Sequence, residues 1–88
     1  MPFPSRISIA EHYLTARETE IVWYCANGLT TEAIAEKLFI STDTVKRHKD
    51  NIRERFNLHG YNCLHEFALH RKGELAKYIN ADSLYRLP

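Results

Sequence analysis

Three side-chain signals for the start of a helix divide the chain, and no proline lies between residues 5 and 87 to interrupt the segments that follow. Thr15-Ala16-Arg17-Glu18 has the S/T-x-x-E form of a capping box, in which a hydroxyl and a carboxylate each accept a backbone N–H. Thr30 or Thr31 begins a second helix and Ser41 a third, each with an acid in its first turn. The pattern predicts short, separately capped helices, and the expected fold class is all-α.

Apolar periodicity between these signals predicts a compact four-helix domain. The third helix is strongly two-sided, because Val45, Ile52 and Phe56 fall within about 20° of one another and its charges lie elsewhere. Each of the three glycines falls where a helix should stop. The predicted helices cover about residues 16–27, from Thr30 or Thr31 to about Leu38, from Ser41 to about Phe56, and about 61–72, ending at Gly73.

An 88-residue chain has room for one domain. We expect it at residues 14–73, between an N-terminal arm (1–13) and a C-terminal extension (74–88). The extension is too apolar for a disordered tail, so we expect it to pack on something, with a short helix around 74–80. Trp23 points away from the predicted core, and either a partner protein or the arm covers it. The arm residues in question are Phe3, Ile7, Ile9 and Tyr13.

The net charge of +1 conceals an uneven distribution. Residues 1–43 carry three basic side chains against six acidic ones, and residues 44–88 carry nine against five. Such a split arises by chance in many small domains, but it also indicates a localised anion-binding face.

Several functions are disfavoured by what the chain lacks. No apolar run reaches the roughly 20 residues of a membrane span, and residues 1–5 do not resemble a signal peptide. Cys25 and Cys63 lack a C-x-x-C spacing, which favours reduced thiols in the cytoplasm. No catalytic constellation, glycine-rich phosphate loop or metal-ligand spacing is visible, so we expect no enzyme, no cofactor and no metal.

Two short helices joined by Phe39-Ile40-Ser41, the second of them basic, form the pattern of a helix-turn-helix. The N-terminal half of such a second helix points into the major groove and reads bases. The forward face here begins with Thr42, Asp43, Lys46, Arg47 and Asp50. Hydroxyls near helix N-termini and basic side chains beside the reading face suit phosphate oxygens. The residues expected in that role are Thr30, Thr31, Thr42, Thr44, Lys49 and Arg53.

Three linked motifs resemble the DNA-binding domains of LuxR/NarL-type regulators, and the resemblance covers about residues 14–73. Residues 14–22, LTARETEIV, are similar to the family's L-T-x-R-E-x-E-V-L. Residues 26–35, ANGLTTEAIA, are similar to A-x-G-x-S-N-x-E-I-A. Residues 38–48, LFISTDTVKRH, match L-x-I-S-x-x-T-V-K-x-H, and Asn51-Ile52 fits the N-I that follows.

The resemblance implies four helices, with the second and third forming the helix-turn-helix and the fourth often dimerising. By position in the motif, Lys46, Arg47 and Asp50 are expected to face bases, and Thr44 the DNA backbone. The implied partners are double-stranded DNA, a second copy of the chain and RNA polymerase, with no membrane. The candidate dimer face comprises Leu69, Leu75, Tyr78 and Ile79.

Two positions depart from the family pattern. Tyr61 stands where the family has an arginine that pairs with the acid matched by Glu18, so Glu18 is left with Arg55, His65 or only its own cap. Asp50 would repel phosphate, yet a carboxylate can accept from a cytosine amino group. An ion pair along the helix, with Lys46 or Arg53, is the favoured interpretation.

The leading hypothesis is a sequence-specific, double-stranded DNA-binding transcription regulator that binds as a dimer. The alternative is a protein-interaction module that kept the fold and lost DNA binding, which would account for Asp50, Glu54 and the apolar extension. The promoter-reading end of a sigma factor ranks lower, because no core-polymerase segment precedes the motif. Met1 and the short arm lean towards a stand-alone regulator rather than a fragment.

Overall fold

Five helices and one β-hairpin make up residues 6–9 and 11–78, the part of the chain that this computed structural model describes. The mostly helical architecture confirms the expected fold class, although the hairpin was not predicted. In none of the described helices are length and apolar character sufficient for a membrane crossing. The elements are β1 (Arg6–Ile9), β2 (His12–Thr15), α1 (Ala16–Ala26), α2 (Thr31–Leu38), α3 (Thr42–Arg55), α4 (Cys63–His70) and α5 (Lys72–Tyr78).

The predicted caps begin the first three helices. Thr15 Oγ1 accepts the Glu18 N–H at 3.2 Å and Glu18 Oε1 accepts the Thr15 N–H at 3.0 Å, which completes the capping box. Thr30, rather than Thr31, caps α2, and Ser41 caps α3. Each of these two hydroxyls accepts the N–H three residues further on, at 3.1 Å. The sequence therefore sets the starting points of the helix-turn-helix through local hydrogen bonds.

The described residues of the N-terminal arm lie in the hairpin, which extends to Thr15 and packs on α1. Ile7 and Ile9 are buried, as expected of residues that cover α1, whereas Tyr13 is exposed and Phe3 lies outside the described residues. Trp23 is only 6% exposed, so the expectation that it points away from the core is wrong. Nearly the whole of α1 is buried by the elements packed around it, both hairpin strands among them, and the Trp23 indole N–H has no acceptor within the described residues.

Each strand of the hairpin accepts one hydrogen bond from a side chain of another element. Ser8 and Tyr13 lie opposite each other in the antiparallel pair. The Ser8 carbonyl accepts from the Tyr78 hydroxyl at 3.2 Å, and the Tyr13 carbonyl accepts from Arg55 Nη1 at 2.9 Å. A two-stranded sheet is marginal alone, so these ties to α5 and α3 help to hold it in place.

The core lies between α1 and the elements around it. Val45 and Ile52 of α3 are fully buried and Phe56 is half-buried, which confirms the predicted apolar stripe. Leu75 of α5 is 0% exposed and belongs to the same core. The fourth helix ends at His70, and α5 begins at Lys72, so the predicted helix stop at Gly73 is wrong.

An ion pair joins the start of α1 to the end of α3. Arg55 donates from Nη1 to Glu18 Oε1 at 2.5 Å and from Nη2 to Oε2 at 2.8 Å. Among the partners considered for Glu18, Arg55 and the helix's own cap are therefore both used. Burial acts to raise the pKa of the Glu18 carboxyl, but hydrogen bonds from Arg55 and from the Thr15 N–H outweigh burial and hold that pKa below its ordinary value.

Replacing Arg55 by Met is expected to lower the free energy of unfolding at pH 7 by about 2 kcal/mol, because the buried carboxylate loses its partner. Arg71→Met is the matched control. Arg71 pairs with Glu74 at 3.4 Å near the surface, so its loss should cost less than about 1 kcal/mol. Urea unfolding followed by circular dichroism measures both values, and equal losses would contradict a structural role for the Glu18–Arg55 pair.

Acid should weaken the protein through Glu18. Because its folded-state pKa is depressed, the stabilisation is present above the ordinary value of 4.5 and is lost as pH falls through the lower folded-state pKa. Glu20 has the opposite effect on the change of stability with pH, because burial raises the pKa of its carboxyl. We expect Glu18→Gln to flatten the loss of unfolding free energy between about pH 5 and pH 3. Parallel pH curves for the variant and the wild type would contradict this assignment.

Candidate nucleic-acid interface

A three-residue turn sets the angle between α2 and α3. Phe39 ends α2 in the left-handed conformation, with φ 58°, and its side chain is exposed. The Ile40 N–H donates to the Ala35 carbonyl at 3.0 Å, and Ser41 then caps α3. A side chain other than glycine in this conformation costs energy, so the hydrogen-bonded turn and the packing of the two helices must hold it.

Two basic side chains stand free on the N-terminal half of α3. Lys46 and Arg47 are exposed, and neither has a hydrogen bond or ion pair within the described residues. The buried Val45 anchors the helix directly beneath them. Unpaired cations on a fixed helix can bind anionic or hydrogen-bond-accepting groups without first breaking an internal contact.

The other charged residues among the predicted contacts of α3 already have partners inside the molecule. Asp50 Oδ1 lies 2.6 Å from Arg53 Nη1, which confirms the favoured ion pair along the helix and identifies Arg53 as the partner. Lys49 Nζ donates to Thr31 Oγ1 at 2.8 Å and so ties α3 to the first turn of α2. Lys49 and Arg53 are therefore oriented before any ligand binds.

An open cleft of about 650 Å³ lies between the start of α2, the middle of α3 and the loop before α4. Lys49 and Arg53 line one side of it, and Thr30 and Thr31 another. Tyr61 lines the cleft with its side chain 92% exposed. In the sequence Tyr61 stands out only as a departure from the family pattern, and no local pattern marks its place beside these cations.

The four threonines of the predicted backbone contacts differ in what they offer. The Thr30 hydroxyl accepts a capping N–H, and Thr44 Oγ1 lies 2.9 Å from Ser41 Oγ. Thr42 opens α3 and is half-buried, whereas Thr31 accepts from Lys49. A hydroxyl that accepts one bond retains its own O–H, so a phosphate oxygen can still be bound.

The candidate dimer residues divide in the structure. Leu69 of α4 and Tyr78 of α5 are 48% and 42% exposed, so both present surface to solvent. Leu75 is fully buried inside the monomer and offers no surface to a second chain. Ile79 lies outside the described residues.

The cysteines and histidines form no reactive or metal-binding cluster in the described ranges. Burial raises the pKa of the Cys25 thiol, and the nearby Lys49 and Arg53 offset this only in part, so the thiol form is favoured. Cys63 is half-buried at the start of α4. Across residues 6–9 and 11–78, no three histidine, cysteine or acidic side chains come together in a way that could hold a metal ion.

Comparison with known proteins matches most of this sequence to a family of regulators. A family model described as bacterial regulatory proteins, luxR family, matches residues 12–68, more than half of the chain. The oxygen regulatory protein NreC of Staphylococcus carnosus is 44% identical over 59 residues, 67% of this chain and 27% of that protein. A putative transcriptional regulator of Pseudomonas aeruginosa is 42% identical over 62 residues, 70% of this chain and 29% of that protein.

The name of a third relative refers to fimbriae. The Fimbriae Z protein of Salmonella typhimurium is 38% identical over 55 residues, 62% of this chain and 26% of that protein. The aligned part of the chain thus spans little more than a quarter of each of these relatives. No solved structure matches the chain significantly.

Lys49 has a hydrogen-bond partner inside the molecule and Lys46 has none within residues 6–9 and 11–78, so their substitution should affect stability differently. Lys49→Ala should lower the free energy of unfolding by about 1 kcal/mol, because it removes the bond to Thr31. Lys46→Ala should change it by less than about 0.5 kcal/mol, because Lys46 has no partner among the described residues. Chemical denaturation measures the free energy of unfolding of both variants. A greater decrease in Lys46→Ala than in Lys49→Ala would contradict the Lys49–Thr31 contact.

Proposed function

The chain belongs to the LuxR family of bacterial regulatory proteins, and from that premise we propose that it reads a specific sequence of double-stranded DNA with α3 in the major groove. The family is one of DNA-binding transcription regulators and not a class of enzyme. The observation that carries the proposal is the pair of unengaged cations, Lys46 and Arg47, on the N-terminal half of the second helix of a helix-turn-helix. That half is the part of such a helix that reaches base edges.

Lys46 and Arg47 are assigned to base contacts because both are exposed and project from a buried anchor. Lysine and arginine donate to guanine O6 and N7, the commonest specific contact in the major groove. Asp50, one helical turn beyond Lys46, is the third base contact. Unlike the cations, it is an acceptor, so it needs a donating base edge.

Phosphate contacts are assigned to the rim of the cleft between α2 and α3. Lys49 and Arg53 are held in place there by Thr31 and Asp50. Pre-ordered cations lose less conformational entropy when they bind an anion. The hydroxyls at the starts of α2 and α3 complete the set: Thr30, Thr31, Thr42 and Thr44.

The proposed assembly is a dimer that places two copies of α3 in successive major grooves, about one helical turn apart. The exposed Leu69 and Tyr78 support a dimer face on α4 and α5. RNA polymerase is the proposed partner through which this regulator changes transcription. The proposed location of the protein is the cytoplasm. The names of the relatives, which include an oxygen regulatory protein and a putative transcriptional regulator, support regulation of transcription.

Fluorescence anisotropy with a random duplex across a salt series tests DNA binding. Wild-type affinity should fall steeply as salt rises, because bound phosphates release counterions. The Lys46→Ala/Arg47→Ala double variant should bind roughly tenfold or more weakly. Lys72→Ala/Lys77→Ala is the matched control, since it removes the same charge from α5 and should change affinity less than about twofold.

Two outcomes would speak against this proposal. Equal losses in the two double variants would mean that net charge, and not α3, drives binding. Failure of the wild type to bind at low salt would favour the alternative, a protein-interaction module on the same fold.

The proposed dimer face can be tested by measuring cooperative binding to a duplex with two half-sites. Leu69→Glu should abolish cooperative binding to the paired half-sites and leave binding to a single half-site unchanged, because α3 is not altered. Analytical ultracentrifugation of the complexes measures the number of chains bound. Two chains per duplex with undiminished cooperativity in Leu69→Glu would exclude this face as the dimer contact.

A further inference from the structure

Asp50 presents one free carboxylate oxygen on the proposed reading face. It lies four residues after Lys46, on the same side of α3, and its side chain is 74% exposed. Arg53 Nη1 holds Oδ1 at 2.6 Å. Within the described residues Oδ2 has no hydrogen-bond partner. The carboxylate is thus held by one oxygen, and the other oxygen is left without a partner among the described residues.

An ionised carboxylate only accepts hydrogen bonds, so the base edge that meets it must donate. In the major groove the donors are the N4 amino group of cytosine and the N6 amino group of adenine. Adenine N6 lies beside N7, which is an acceptor and would repel a carboxylate oxygen. On its own ring, cytosine N4 has C5–H as its neighbour in the groove, which does not repel a carboxylate, so cytosine is the better partner.

We propose that Asp50, oriented by Arg53, is a specificity-determining residue that selects a cytosine in the operator. The inference rests on the proposed function, because it requires α3 to lie in the major groove. Arg53 offsets the repulsion that a lone carboxylate would meet near phosphates and limits the rotamers of Asp50. Without that pair, an acid on this face would mainly weaken binding to every sequence.

The spacing of the helix places this cytosine relative to the contact of Lys46. Four residues advance α3 by about 6 Å, roughly two base-pair steps. If Lys46 binds a guanine, the cytosine selected by Asp50 lies about two base pairs from it. The half-site should therefore combine a guanine and a cytosine at that separation.

Glu54 provides a matched control on the same helix. It is also an exposed acid, four residues beyond Asp50, but it has no hydrogen bond or ion pair through its side chain in the described part of the chain. It also lies in the C-terminal half of α3, away from the half that reaches base edges. Asp50→Asn and Glu54→Gln each remove one negative charge without changing side-chain size.

The test selects binding sites for the wild type and both variants from a library of random duplexes, then measures the affinity for each base at the selected position. The wild type should prefer cytosine there by roughly tenfold. Asp50→Asn should move the preference to adenine, because an amide can donate to N7 and accept from N6. Glu54→Gln should retain cytosine, while both variants bind random DNA somewhat more tightly.

The outcomes separate this inference from the function on which it rests. A wild-type consensus that Asp50→Asn leaves unchanged would overturn the role of Asp50 and leave DNA reading by α3 intact. A wild-type consensus without a cytosine near the Lys46 contact would do the same. Failure of the wild type to bind any duplex would overturn the proposed function, and with it this inference.

Discussion

The structure depends most on a buried carboxylate that joins three elements. Glu18 caps α1 through the Thr15 N–H and binds Arg55 at the end of α3, and Arg55 in turn holds the Tyr13 carbonyl of β2. The direction of α3 is fixed by this contact at one end and by Lys49 on Thr31 near its middle. A helix held at these two points, with Val45 and Ile52 buried beneath it, presents its outer face in one defined direction.

Local signals in the sequence predict the helices well because caps act within four residues. The capping box, the caps Thr30 and Ser41, and the stripe of Val45 and Ile52 all appear in the structure as expected. The hairpin was missed because two four-residue strands have no strong local signal and depend on packing against α1. The buried position of Trp23 was missed because it depends on tertiary packing around α1, which leaves nearly the whole of that helix buried.

The candidate site was predictable in position and only partly in chemistry. The motif located Lys46, Arg47 and Asp50 on one exposed helix face, but it could not say which charged side chains are engaged inside the molecule. Arg55 takes the place next to Glu18 that the family gives to an arginine at the position of Tyr61, and Tyr61 instead lines the cleft beside Lys49. Such exchanges between distant positions depend on tertiary distances, which sequence spacing does not contain.

The proposed function requires α3 to be the surface that meets DNA. Amide chemical shifts of the ¹⁵N-labelled chain during titration with a random duplex test it most directly. If α3 binds in the major groove, the largest changes should occur in the N-terminal half of α3 and the first turn of α2, with little change in β1 or α5. Changes concentrated on α4 and α5, with α3 unaffected, would contradict it.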